Sequence, residues 1–164
     1  MRLGHGALQG IFAELERSEG LLHTVETGGN VFGRHSGKTI ELIYASGPGS
    51  DGKARRLPDS VMVSLADGYQ HAKELKRIYQ DDGVSFLGGW HTHPIREPLP
   101  STTDRSEGLA GLDQMHRLGT WTTCWLDLIL MPDAQRGWEA PSVRGWATCR
   151  TDWGAVTEPV RVVK

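Results

Sequence analysis

The chain has 164 residues, 38% hydrophobic and 23% charged, with Lys+Arg 18 against Asp+Glu 20 and a net charge of −2. That length and composition suit one folded domain, 1–164, and exclude a disordered or fibrous chain. The near-neutral balance offers no basic footprint for nucleic acid. The longest apolar stretch, Cys124 to Met131, is short and interrupted by Asp127, so nothing is expected to span a membrane. No signal-peptide apolar region follows Met1, and the cytoplasm is the expected compartment. Cys124 and Cys149 match no zinc-finger or redox spacing and are expected as two small, reduced core residues.

Leu8, Ile11, Phe12 and Leu15 recur at helical spacing and predict a helix over 7–19, closed by Gly20. Leu21 to Phe32 reads as a strand, Ser36-Gly37 as a hairpin turn and Thr39 to Ser46 as the returning strand. Gly47 to Pro58, with the basic Lys53-Ala54-Arg55-Arg56, reads as a mobile, exposed loop. Val61 to Ser64 suits a short strand. Leu65, Tyr69, Ala72, Leu75 and Tyr79 trace a second helix ending near Asp82-Gly83. Val84 to Trp90 is expected as a strand central in a sheet. Leu109, Leu112, Met115 and Leu118 form the stripe of a third helix that stops at Gly119. Strands are expected from Trp121 to Met131 and from Val143 to Cys149. The connection from Pro132 to Pro141 reads as a loop whose Trp138 is a candidate for substrate contact, and a last edge strand is expected at Val160 to Val163. The order of elements predicts a mixed α/β (α+β) sandwich, helices flanking a mainly antiparallel sheet.

Chemistry concentrates in one stretch, Trp90-His91-Thr92-His93-Pro94, followed by Pro100-Ser101-Thr102-Thr103-Asp104. Alternating strand side chains send His91 and His93 the same way, so both can reach one ion. Two imidazoles and a carboxylate are three ligands of a catalytic zinc, with the fourth position left to water. Ser101, three residues before Asp104 and just ahead of an apolar-periodic helix, also fits a capping box that needs no metal. Asp113 and His116 share a helical face and read as a solvated surface pair.

The combination His91-Thr92-His93-Pro94 with Ser101-Thr102-Thr103-Asp104 resembles the JAMM signature of MPN-domain metalloproteases. Glu26, in Glu26-Thr27-Gly28-Gly29-Asn30-Val31-Phe32-Gly33, resembles the glutamate that this family supplies from an earlier strand. The resemblance covers Leu8 to Cys149 and is greatest to the small prokaryotic JAB branch. It implies the MPN fold, a cytidine-deaminase-type sandwich, and one zinc per chain held by His91, His93 and Asp104. It further implies Glu26 as general base and Ser101 as oxyanion donor. The implied activity is a zinc isopeptidase cleaving a ubiquitin-like modifier, or a C-terminally conjugated target such as a cyclic-nucleotide synthase, from its conjugate. Members of the branch often sit beside activating-like and conjugating-like proteins, including in antiphage operons. The alternatives are trimming of a sulfur-carrier protein to expose its terminal glycine, or a non-catalytic MPN scaffold; scaffold relatives usually lose ligands that are all present here. A zinc nucleobase deaminase needs a Cys-x-x-Cys pair that Cys124 and Cys149 cannot supply. The connections at Gly47–Pro58 and Pro132–Pro141 are short for the inserts with which larger deubiquitinases grip ubiquitin.

Overall fold

A computed structural model describes residues 1–36, 39–50, 54–117 and 122–163. In chain order the elements are β1 (Arg2–Leu3), α1 (His5–Arg17), a 3-10 turn (Glu19–Leu21), β2 (Gly28–Ser36), β3 (Thr39–Ala45), β4 (Arg55–Arg56), β5 (Val61–Met62), α2 (Leu65–Tyr79), β6 (Ser85–Thr92), α3 (Thr102–Arg117), β7 (Cys124–Asp133), β8 (Gly137–Thr151) and β9 (Gly154–Val160). The large sheet runs β1-β3-β2-β6-β7-β8-β9, while β4 and β5 form a hairpin of their own. Within the large sheet β1–β3 and β6–β7 pair in parallel and the other neighbouring strands antiparallel. Past β9 the chain returns to β1, where Leu3 N–H donates to the Val163 carbonyl and Val163 N–H to that of Met1. The sheet therefore curls. The expected class, a mainly antiparallel mixed sheet flanked by helices, is the observed one.

Two apolar layers fill the two faces. Ala7, Ile11 and Leu15 of α1 pack with Val31, Leu42, Leu87, Trp90 and Leu128. Phe32, Phe86 and Trp125 pack with Ala72 and Leu75 of α2 and Met115 of α3 on the other face. Leu87 and Trp90 share a layer although strict alternation would put residues three apart on opposite faces. The cause is a bulge: Val31 pairs with Gly88 and Phe32 with Phe86, so Leu87 is the extra residue. Beyond the bulge Trp90 enters the α1 layer, and alternation turns His91 to the face that carries α2 and α3.

Several expectations shift. Residues 21–25 do not extend: Thr24 and Val25 N–H both donate to the Leu21 carbonyl, and the strand starts only at Gly28. The apolar residues Leu21, Leu22 and Val25 mimicked a strand, but a local turn satisfied the backbone first. Arg55–Arg56 is not loop but a strand paired with β5. β7 runs to Asp133 and β8 begins at Gly137, so the expected loop from Pro132 to Pro141 is a tight hairpin and Trp138 lies on a strand, packed against the α1 layer. Register sets Cys124 opposite Cys149, with Cα atoms 4.0 Å apart, and the two are joined in a disulfide. They are half-buried on the sheet rather than reduced core residues, because the ladder brings side chains distant in sequence face to face. Gly37, Lys53, Leu118, Gly119 and Trp121, which entered the expectations above, lie outside the described residues. No helix is long and apolar enough to cross a membrane among the described residues.

One buried carboxylate ties α1 to the hairpin and to the start of β2. Glu14 Oε1 accepts from Ser18 and Thr27 hydroxyls at 3.1 Å each and from the Arg56 guanidinium, while Oε2 pairs with Arg17 at 2.9 Å. Arg56 Nε also donates to Thr27 Oγ1 at 2.9 Å. Glu14→Ala leaves these donors without their acceptor and is expected to lower stability by about 3 kcal/mol. A fall in the urea midpoint checks this; an unchanged midpoint contradicts it. Burial works against the ionised carboxyl, but Arg56, Arg17 and Ser18 outweigh it and hold Glu14 below its usual 4.5. A depressed folded-state value stabilises above the unfolded one and is lost as pH falls through it. The gap between wild type and Glu14→Ala is therefore full above about pH 4.5 and closes in stronger acid.

Candidate metal centre

The sheet brings one end of β6 beside the residues that precede β2. Gly28 pairs with His91, and Thr27 and Thr92 exchange two bonds: Thr92 N–H to the Thr27 carbonyl at 2.8 Å, Thr27 N–H to Thr92 Oγ1 at 2.9 Å. These bonds seat Glu26 against the two histidines. On its other side Glu26 N–H donates to the Leu57 carbonyl of the β4–β5 hairpin. The double glycine that follows is required by packing: a Cβ on Gly29 would lie 1.8 Å from the Ser46 carbonyl oxygen. One candidate ligand atom from each of Glu26, His91, His93 and Asp104 lies within 4.8 Å of all the others, and all four residues are buried.

The histidine tautomers follow from their outer partners. His91 Nδ1 lies 3.1 Å from Asp127 Oδ1, and His93 Nδ1 lies 2.7 Å from the Glu97 carbonyl oxygen. An ionised carboxylate and a carbonyl only accept, so each Nδ1 carries the proton. The two Nε2 atoms are then left to share a cation, a proton or a metal ion, and they face each other at 3.0 Å. Asp104 completes the ring with Oδ1 3.5 Å from His91 Nε2 and Oδ2 3.6 Å from His93 Nε2. Glu26 Oε2 is buried beside them with no hydrogen-bond partner. Lone pairs and carboxylates converging in a buried space need a positive charge between them.

The electrostatics carry the same mark. Burial disfavours a charged His91, yet Asp127 and Asp104 together lift its pKa well above the usual imidazole value. Burial likewise opposes an ionised Asp104, but the two imidazoles hold its carboxyl far below the carboxylate range. For Glu26 burial prevails over the imidazoles and pushes the carboxyl up to about 7. The site attracts cations. Two imidazole nitrogens and a carboxylate with an orphaned second carboxylate fit a divalent ion of the zinc type.

Ser101 and Asp104 form the capping box that their spacing predicts. Asp104 N–H donates to Ser101 Oγ at 3.1 Å and Ser101 N–H donates to Asp104 Oδ2 at 2.6 Å, a reciprocal capping box at the start of α3. The same Asp104 carboxylate faces the histidines, so the cap fixes its aim. Ser101 itself is exposed. The Pro-rich segment between His93 and Ser101 is pinned by Trp146 Nε1, which donates to the Pro98 carbonyl at 3.1 Å.

All four expected buried site residues thus come together, with Ser101 at the head of the helix that carries Asp104. Trp138 is not an exposed loop residue. Asp127 escaped the sequence reading, which treated it only as a break in an apolar run. Its signal was the charge itself: an acid in a strand otherwise buried on both faces requires a partner. Asp113 is exposed as expected, and it pairs with Arg150 at 2.5 Å.

A curled sheet that presents two strand-end histidines to a helix-start aspartate, with a glutamate alongside, defines the JAB/MPN class. The chain belongs to the prokaryotic JAB family: the model for prokaryotic homologs of the JAB domain matches residues 7–138. It is 28% identical over 92 residues to a CD-NTase/cGAS isopeptidase of Escherichia coli, which is 54% of this chain and 55% of that protein. A CD-NTase/cGAS isopeptidase of Vibrio cholerae is 32% identical over 85 residues, 50% of this chain and 51% of that one. The chain spans about half the length of these curated relatives. The solution structure of a protein from Desulfitobacterium hafniense is similar with a TM-score of 0.59 at 16% identity, covering 99% of this chain and 92% of that chain. That likeness concerns the fold.

Zinc titration is expected to give one site per chain. Asp127→Asn is expected to weaken it by about 10- to 100-fold, since it removes the carboxylate that orients His91. Competition against a chromogenic chelator reads both, and undiminished affinity in the variant contradicts the role given to Asp127.

Proposed function

We propose that this chain is a zinc-dependent isopeptidase that cleaves a ubiquitin-like modifier, or a C-terminally conjugated target such as a cyclic-nucleotide synthase, from its conjugate in a bacterial antiphage system. The observation that carries the reading is the pair of histidines with both Nδ1 protons committed and both Nε2 lone pairs facing Asp104, beside an unpartnered Glu26. The relatives named as CD-NTase/cGAS isopeptidases support the substrate class. The complete residue set speaks against a non-catalytic scaffold.

His91, His93 and Asp104 would hold the zinc, which supplies a Lewis acid and lowers the pKa of water toward about 7. Glu26, held on both sides by backbone bonds, takes the proton from the attacking water and returns it to the departing amine. Ser101 Oγ accepts the Asp104 N–H as its cap, so its own O–H stays available to donate to the carbonyl oxygen of the bond being cut. Asp127 and the Glu97 carbonyl keep the imidazoles in the tautomer that faces inward.

The test is a panel of ubiquitin-like fusions and conjugated synthases incubated with zinc-loaded protein. Glu26→Gln is expected to lose about 10²- to 10⁴-fold in cleavage rate while its zinc content stays at the wild-type level. Ser101→Ala is expected to lose about 10²- to 10³-fold in turnover and about 1 kcal/mol of stability through the lost cap. Cleavage by Glu26→Gln at the wild-type rate would sink the mechanism.

A further inference from the structure

Beside the metal centre, between α2 and α3, lies a cavity of about 350 Å³ that begins at His91 and Asp104. That volume falls in the range of about 300–1,000 Å³ typical of ligand pockets. Val61 and Leu65 form one wall, Trp125 another, and Glu107 and Gln114 of α3 supply polar groups. The fold makes room for the indole: a Cβ on Gly111 would lie 2.5 Å from the Trp125 ring and one on Gly108 3.1 Å from it. Glycine at both positions lets Trp125 lie against the helix backbone as a flat wall.

Apart from His91, the charged groups that line the cavity are carboxylates. Glu107 stands one helical turn beyond Asp104, and no lysine or arginine is among the lining residues. Among the described residues Glu107 has neither a hydrogen bond nor an ion pair, unlike Asp127, which is occupied by His91. Glu107 is exposed at the side of the cavity; partial desolvation raises its carboxyl above the usual value, Asp104 adds to the rise and His91 opposes it. Apolar walls with a carboxylate at the side match a side chain with an aliphatic stem and a cationic head.

We propose that this cavity is a substrate subsite for a lysine or arginine side chain flanking the scissile bond, with Glu107 as the residue that selects its charge. The inference rests on the isopeptidase reading for where the substrate lies, and the two can fail separately. Zinc-loaded wild type, Glu107→Gln and Glu107→Lys are assayed on fluorogenic isopeptide substrates carrying Lys, Gln or Glu at each position flanking the bond. Wild type is expected to prefer Lys over Gln by about tenfold or more in kcat/KM at one position. Glu107→Gln should lose that preference and Glu107→Lys should reverse it toward Glu, with the neutral substrate cleaved comparably by all three. Cleavage with no charge preference, or a Lys preference that survives Glu107→Lys, overturns the subsite and leaves the isopeptidase intact.

Should no member of the panel be cleaved, the isopeptidase reading fails, and binding decides the subsite. Metal-free protein is titrated with acetylated lysine and glutamine tripeptides while tryptophan fluorescence is followed. A saturable change with the lysine peptide that Glu107→Gln and Trp125→Phe each remove supports the subsite. The same response to both peptides, or none to either, overturns it.

Discussion

Two imidazole lone pairs held 3.0 Å apart are the constraint on which the rest of this molecule depends. Without a metal the two nitrogens need a proton between them, which the Asp127 and Asp104 carboxylates favour by raising the His91 pKa. With a cation between them every one of these groups becomes a ligand. The protein commits to that arrangement through the far side of each ring, where Asp127 and the Glu97 carbonyl take the only proton each neutral imidazole has to give. An alternative tautomer would cost a buried unpaired acceptor on the outside, so the inward lone pairs are enforced rather than incidental.

The fold supplies each part from a different element and then locks the parts together. The bulge at Leu87 sends Trp90 into the α1 layer and His91 to the face where α3 begins. Thr27 and Thr92 register the Glu26 segment against the histidine strand, and Glu14 holds Thr27 and Arg56 from beneath. The capping box does double service, since the hydrogen bonds that start α3 also fix the direction of Asp104. A helix start is a rigid mount: its first turn is over-determined by caps and by the orphan N–H groups they satisfy.

The motif residues were legible because their chemistry depends on short spacings, His91 to His93 on one strand and Ser101 to Asp104 on one helical turn. Periodicity likewise located α2 and most of α1. What escaped was set at long range. Leu21 to Val25 has strand-like residues, but a local turn satisfied its backbone. The basic Arg56 looked like a solvated loop residue until α1 placed Glu14 beneath it. Asp127, the disulfide partners and the strand that carries Trp138 all depend on which strand lies beside which, and a linear pattern does not carry that information. Glycines 108 and 111 admit an indole from β7, a packing that the spacing of α3 residues does not announce.

The central claim is that His91, His93 and Asp104 form a metal centre with Glu26 poised beside it. An anomalous difference map from zinc-soaked crystals, recorded on both sides of the zinc absorption edge, tests it most directly. The account predicts one strong peak per chain, present only above the edge, within about 2.0–2.2 Å of His91 Nε2, His93 Nε2 and an Asp104 oxygen. No peak among these residues, or a peak bound through the Nδ1 atoms, would contradict it.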